Sequence, residues 1–276
     1  MKQGKLPQAL ESHQAAAAIM NRLARRDPNN TRYRLTLGFV HTNIGDLLKS
    51  QGDLPKALES YRESLANAEQ LVGANAGIVA WQNNLAMAHD KIGDALLAQN
   101  KLPEALESYR AGFAIRDRLA NAKPEDADSQ SKVATALNNI GDVQKAQGKV
   151  AEALQTYRAA LAKVDPIAKA SPDNADRQWD LALPLTNICR TAIEHNQLDV
   201  GLADCERGLV ILRNLTRLAS DRAEYKPINQ MLSLLETLLL PHRVAEATRA
   251  GRYAEALRLQ EQLAAQTETN EAGSCG

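Results

Sequence analysis

The sequence predicts an all-α fold, an α-solenoid of stacked antiparallel helix pairs. Three observations predict it. The chain is dominated by Ala and Leu with many Glu, Gln, Lys and Arg, all good helix formers, and aromatics make up only 4% of its 276 residues. One stretch recurs every 48 residues: QALESHQAAAA (8–18), KALESYRESLA (56–66), EALESYRAGFA (104–114), EALQTYRAALA (152–162) and a worn VGLADCERGLV (200–210). A second echo runs ahead of it as NIGD (43–46), KIGD (91–94), NIGD (139–142) and NICR (187–190). A final copy, AEALRLQEQLA (254–264), breaks the period. Such a period outranks any local reading of the sequence.

Each unit is two helices. In 56–71, Ala57, Leu58, Tyr61, Leu65, Ala68 and Leu71 recur at three- and four-residue steps, which gives one apolar stripe. Leu37, Val40, Ile44, Leu47 and Leu48 do the same in 33–48. Between them, SQGDLP marks a stop and a start. Gly52 and Gly148 suit the left-handed residue after a helix end, with Asn100 and Asn196 as substitutes. Pro7, Pro55 and Pro103 suit the first turn of the next helix, where a missing N–H costs nothing. The loops between units are RDPNNT (26–31), VGANAG (72–77), NAKPEDAD (121–128) and AKASPDNAD (168–176). Helix arms of about 20 residues span roughly 30 Å at 1.5 Å per residue.

Gly45, Gly93 and Gly141 sit inside helices, where Gly costs about 1 kcal/mol relative to Ala. Close packing is the reason to keep them. Ala57, Ala105 and Ala153 let the second helix approach, and Tyr61, Tyr109 and Tyr157 fill the space beside the glycines. A lone helix pair cannot bury its stripe, so neighbours must stack.

Asn43, Ile44, Gly45, Gly52, Ala57, Tyr61 and Leu65, with their counterparts in 91–113 and 139–161, resemble the tetratricopeptide repeat. The period departs from the usual 34 residues. The turn is of normal length, so the extra residues lie at the far helix ends, where Tyr33 and Trp81 recur 48 apart. This resembles a long-helix variant seen in bacterial multi-repeat proteins. The resemblance implies a right-handed superhelix whose first helices line a concave groove for peptides or partner elements.

The expected layout is one solenoid over 1–264: a half unit at 1–26, units at 30–73, 77–121, 127–168 and 175–219, and a degenerate cap at 224–264. The tail 265–276 reads as disordered. The array opens on a second helix, so Leu6, Leu10 and Ile19 are exposed or pack on the next unit, and self-association through that helix is expected as an option. The expectation is that the chain is the C-terminal part of a longer ancestor, or that its start is missing. Pro241, inside a helical pattern, predicts a kink or break.

Basic and acidic side chains balance at 33 each, which leaves no electrostatic footprint for nucleic acid. The longest apolar stretch, 231–241, is far short of the ~20 residues that span a bilayer. With no apolar leader segment, the chain reads as soluble and cytoplasmic. No HExxH, GxSxG or GxGxxG occurs, and GDVQKAQGK (141–149) lacks both P-loop spacing and a following Ser or Thr. The expectation is no enzyme, no cofactor and no metal. His41 and His89, one repeat apart, are two imidazoles without a third ligand, which reads as packing or surface residues rather than a metal site. Three cysteines without a CxxC argue against a disulfide framework. Cys189 and Cys205 replace a glycine and a tyrosine that pack together elsewhere, so they are read as core-filling thiols, with a redox pair as the alternative.

By the resemblance, the groove shows Asn43, Asp46, Lys49, Asp90, Lys91, Asp94, Asn138, Asn139, Asp142, Lys145 and Arg190. Asp46, Asp94 and Asp142 then form an acidic ladder that would favour a partner bearing Lys or Arg. The simpler reading is that they are solvated and pair with Lys49, Lys91 and Lys145. A clamp for acidic peptide C-termini is not expected, because Phe39 and Thr135 stand where it wants basic residues. The functional expectation is a non-enzymatic scaffold that binds a protein or peptide. The alternative is the regulatory, partner-recruiting arm of a larger kinase or caspase-like protease.

Overall fold

The computed structural model describes residues 5–218 and 226–262, and every regular element among them is a helix. In order these are α1 (Lys5–Arg26), α2 (Thr31–Ser50), α3 (Leu54–Ala74), α4 (Val79–Ala98), α5 (Leu102–Ala122), α6 (Ala127–Ala146), α7 (Val150–Ala170), α8 (Ala175–Glu194), α9 (Leu198–Leu218) and α10 (Lys226–Arg249). Residues 253–262 are also helical. The expected tail and Cys275 lie outside the described residues.

The turns are built as their residues dictate. Gly52, Asn100, Gly148 and Asn196 adopt φ of 83°, 57°, 75° and 54°. The following amide then reaches back to close the helix end: Asp53 to Leu48 at 3.0 Å, Lys101 to Leu96 at 2.9 Å, Lys149 to Gln144 at 2.9 Å and Gln197 to Ala192 at 2.7 Å. Asp53 caps α3 by accepting from the Lys56 amide, and Asn30 caps α2 through the Arg32 amide.

A pinning device at the opposite helix ends escaped the sequence reading. Gln82 donates to the Ala76 carbonyl, Gln130 to Pro124 (3.3 Å) and Arg34 to Pro28 (3.4 Å), each reaching six residues back into the preceding loop. These positions recur at the same 48-residue period, which is the signal that could have revealed them.

The chain divides into two compact units, residues 1–163 and 164–276, with the boundary inside α7. In the first, α1 packs on α2, α2 on α3, α3 on α4, α4 on α5 and α5 on α6. Its core joins Val40, Ile44, Leu48, Leu58, Tyr61, Ile92, Leu96, Leu106, Tyr109, Ile140 and Val143. Of the residues expected to be stranded on α1, Leu10 packs against this core while Ile19 stays 50% exposed.

In the second unit α8 packs on α9, and α10 packs on both. Its core holds Ala182, Cys189, Cys205, Leu209, Leu212, Leu215, Leu235 and Leu239. The break expected at Pro241 does not occur. α10 runs through it, as α7 and α8 run through Pro166 and Pro184. A proline inside a helix removes one ladder bond and crowds the preceding turn, and tertiary packing on the flanking turns holds the helix through that loss.

Candidate partner-binding face

The site expected from the sequence rests on how the first helix of each pair is held. In the first three pairs that is done by a lock of three residues. A Cβ placed on Gly93 would lie 2.7 Å from Tyr109 Cε1, and one on Gly141 would lie 2.5 Å from Tyr157 Cε1; Gly45 faces Tyr61 in the same way. Only glycine admits the ring. Each tyrosine is buried and donates its hydroxyl at 2.7 Å to the aspartate following its glycine: Tyr61 to Asp46, Tyr109 to Asp94 and Tyr157 to Asp142. Burial, and then the neighbouring carboxylate, push the Tyr61 and Tyr109 hydroxyls well above the usual phenol range.

The aspartates of the expected ladder are therefore first of all structural acceptors. Two of them are also bridged across repeats. Lys91 Nζ meets Asp46 at 2.8 and 3.0 Å, and Lys49 Nζ meets Asp94 at 3.2 Å. The lysines thus serve the neighbouring repeat's aspartate and tie α2 to α4. Their side chains remain 29–43% exposed, so each pair contributes at most about 1 kcal/mol.

Two expected groove residues face inward instead. Asp90 is part-buried and takes a bidentate ion pair from Arg116, whose guanidinium donates to Oδ1 at 2.9 Å and also to Oδ2. Burial raises the Asp90 carboxyl above its ordinary value, with Arg116 pulling the other way. Asn138 is only 7% exposed. Both occupy a position that Thr42 also holds in its repeat, where the threonine hydroxyl sits 2.8 Å from that of Ser64. Helical geometry explains the correction: this position lies one residue before the exposed Asn43 row, rotated toward the second helix.

What faces outward on α2 is Asn43 and, one turn earlier, Phe39, which is 46% exposed. Phe39 borders a narrow, largely apolar cleft with Leu35, Gly38, Asn84 and Met87, floored by Thr42 and Ser64. In the next repeat Arg116 replaces Ala68 and reaches to Asp90, the counterpart of Thr42. Asn139 and Lys145 of α6 are half-exposed. Arg190 belongs to the second unit and donates to Asn187 at 3.3 Å.

Burial lowers the pKa of His41, against the opposing charge of Glu63, and that of His89, against Glu69 and Asp90. Among the described residues no group of three or more His, Cys, Asp or Glu gathers to hold a metal ion. None of the described helices is long and apolar enough to cross a membrane.

No curated protein matches the sequence. Among solved structures, BtubC from P. vanneervenii is similar at a TM-score of 0.66 and 21% identity, over 96% of this chain and 92% of that one. The apo form of RapI is similar at 0.58 and 11% identity, over 98% and 72%. Aspartyl phosphate phosphatase F from Bacillus subtilis gives 0.52 and 10%, over 83% and 59%. At these identities the likeness is one of fold. Tetratricopeptide-repeat models match residues 36–118 and 136–170, the segments that carry the glycine–tyrosine locks. The chain carries tetratricopeptide repeats, and its fold is an α-solenoid of that type.

Proposed function

We propose that the protein is a non-enzymatic scaffold whose first unit binds a partner protein segment along the outward face of α2, α4 and α6. The observation that carries this reading is the division of labour on those helices. Asp46 and Asp94 are consumed by tyrosines and cross-repeat lysines, which fixes the helices side by side. Phe39 and Asn43 are left exposed, and Asn139 half-exposed, with no structural duty of that kind. Repeat arrays use such rows as extended binding surfaces.

The partner's chemistry follows from the same geometry. A partner recognised by a run of basic residues would have to compete with Lys49 and Lys91 for the carboxylates. A largely uncharged segment, hydrogen-bonded by the asparagine amides and resting an apolar side chain on Phe39 and Met87, meets no such competition.

The test compares the full chain with two triple variants in affinity capture with quantitative mass spectrometry. Phe39→Ala, Asn43→Ala, Asn139→Ala alters the proposed face. Glu59→Ala, Arg62→Ala, Arg110→Ala alters exposed positions of the second helices. A partner lost only with the first variant supports the reading, and one lost only with the second moves the site to the opposite face.

A further inference from the structure

The fourth helix pair departs from the other three at all three lock positions together. Where they have glycine, it has Cys189; where they have tyrosine, Cys205; where they have the tyrosine's aspartate acceptor, Arg190. The structure joins the two cysteines in a disulfide between α8 and α9, with Cα atoms 4.8 Å apart. Both are fully buried, at the centre of the second unit's core. The changes are mutually consistent. Removing the ring makes room for a Cβ at the glycine position. Removing the hydroxyl leaves the aspartate without its donor, and Arg190 there donates to Asn187 instead.

We infer that the Cys189–Cys205 bond is a covalent replacement for the glycine–tyrosine–aspartate lock, installed by thiol–disulfide exchange while α8 and α9 are still apart. The oxidant is a disulfide: a protein dithiol–disulfide oxidoreductase or a small-molecule disulfide such as oxidised glutathione. One cysteine thiolate attacks a sulfur of that disulfide, forms a mixed disulfide and expels one oxidant thiolate. The second cysteine thiolate then attacks the protein-side sulfur, forms the intramolecular bond and expels the other thiolate. The two cysteines give up two electrons and two protons, and the oxidant leaves as two thiols.

Burial separates a lock from a sensor. Redox-sensing cysteines are solvent-accessible, with a thiolate that can be reached. Neither sulfur here is open in the folded pair, so exchange has to precede packing, and reduction has to wait for α8 and α9 to separate. Persistent disulfides form in oxidising surroundings, so the helix pair matures where such an oxidant is at hand.

The test uses the full chain purified without reductant, N-ethylmaleimide and intact mass, with Cys275 as the reference thiol. In denaturant without reductant, one maleimide is expected. After dithiothreitol in native buffer the count stays at one, and it rises to three only as urea opens the second unit. Reduction should lower the melting temperature by about 5–10 °C, the consequence of releasing a loop of this length. Three maleimides on the unreduced chain would overturn the proposal. So would reduction in native buffer as fast as in urea, or a melting temperature indifferent to reduction.

The variant Cys189→Gly, Arg190→Asp, Cys205→Tyr restores the lock of the other pairs. It is expected to fold and to melt at the same temperature with and without dithiothreitol. Failure of this variant to fold, while the oxidised natural chain does, would refute the equivalence of the two locks.

Discussion

Replacing Gly93 by alanine separates helix propensity from packing. On propensity alone, alanine in the middle of α4 stabilises by about 1 kcal/mol. The structure reverses the sign. The new Cβ would stand 2.7, 2.8 and 2.9 Å from Cε1, Cδ1 and Cζ of Tyr109, where carbon contacts are favourable only near 3.5–4.0 Å. The ring has nowhere to go, being 2% exposed with its hydroxyl bound to Asp94 at 2.7 Å. Overpacking of this kind costs about 1–3 kcal/mol, and a ring that shifts also forfeits a hydrogen bond to a charged acceptor, about 1.5 kcal/mol or more. Subtracting the propensity gain of about 1 kcal/mol leaves a net loss of about 1.5–3.5 kcal/mol. Gly38→Ala in α2 is the control, because its Cβ would have no neighbour closer than 3.9 Å, and it should gain up to about 1 kcal/mol. Urea titration followed by far-UV circular dichroism reads both, with midpoints moving in opposite directions. A Gly93→Ala midpoint at or above that of the parent chain would show that the Tyr109 ring does not exclude a Cβ at this position.

Arg116→Ala strands the Asp90 carboxylate inside the second repeat and should cost about 3 kcal/mol. Asp90→Asn in the same chain should restore part of it, and urea midpoints of the parent chain and the two variants check the pattern. Tyr157→Phe keeps the ring against Gly141 but removes the 2.7 Å bond to Asp142, for a loss of about 1–2 kcal/mol by the same assay. His41 and His89 have pKa values lowered by burial, so the folded chain binds fewer protons than the unfolded one near their ordinary value. Their contribution is complete above about pH 6.5 and is lost as pH falls through the lowered values. The melting temperature should therefore drop between pH 7.5 and 5.5, and His41→Asn, His89→Asn should flatten that slope.

Much of this molecule is legible because one period writes it several times. The left-handed residues at 52, 100, 148 and 196 and the glycine–tyrosine contacts follow from residue type and spacing alone. What escapes is where repeats differ. The inward position next to the asparagine row reads Thr42, Asp90 and Asn138, and periodicity cannot say that Asp90 is answered by Arg116 on the next helix. Pairing of Asp46 and Asp94 with Lys49 and Lys91 is as the simpler sequence reading has it, but that each lysine serves the neighbouring repeat's aspartate depends on how two first helices lie side by side, which no single-helix pattern contains. For Cys189 and Cys205, the spacing placed them as neighbours, but their reading as core-filling thiols is overturned by the disulfide that joins them, because residue spacing carries no information on oxidation state. Pro241 is read poorly for a related reason: local propensity predicts a break there, and α10, which runs through it, is held by non-local packing on α8 and α9.

The proposed function requires that the row carrying Phe39, Asn43 and Asn139 touch the partner. Site-specific photocrosslinking tests it most directly, with a benzophenone amino acid placed in the full chain at Asn43 or Asn139, and at Arg62 or Arg110 for comparison. One crosslinked adduct of the same mass is expected from Asn43 and Asn139 and none from the second-helix positions. An adduct from Arg62 or Arg110, with none from Asn43 or Asn139, would contradict it.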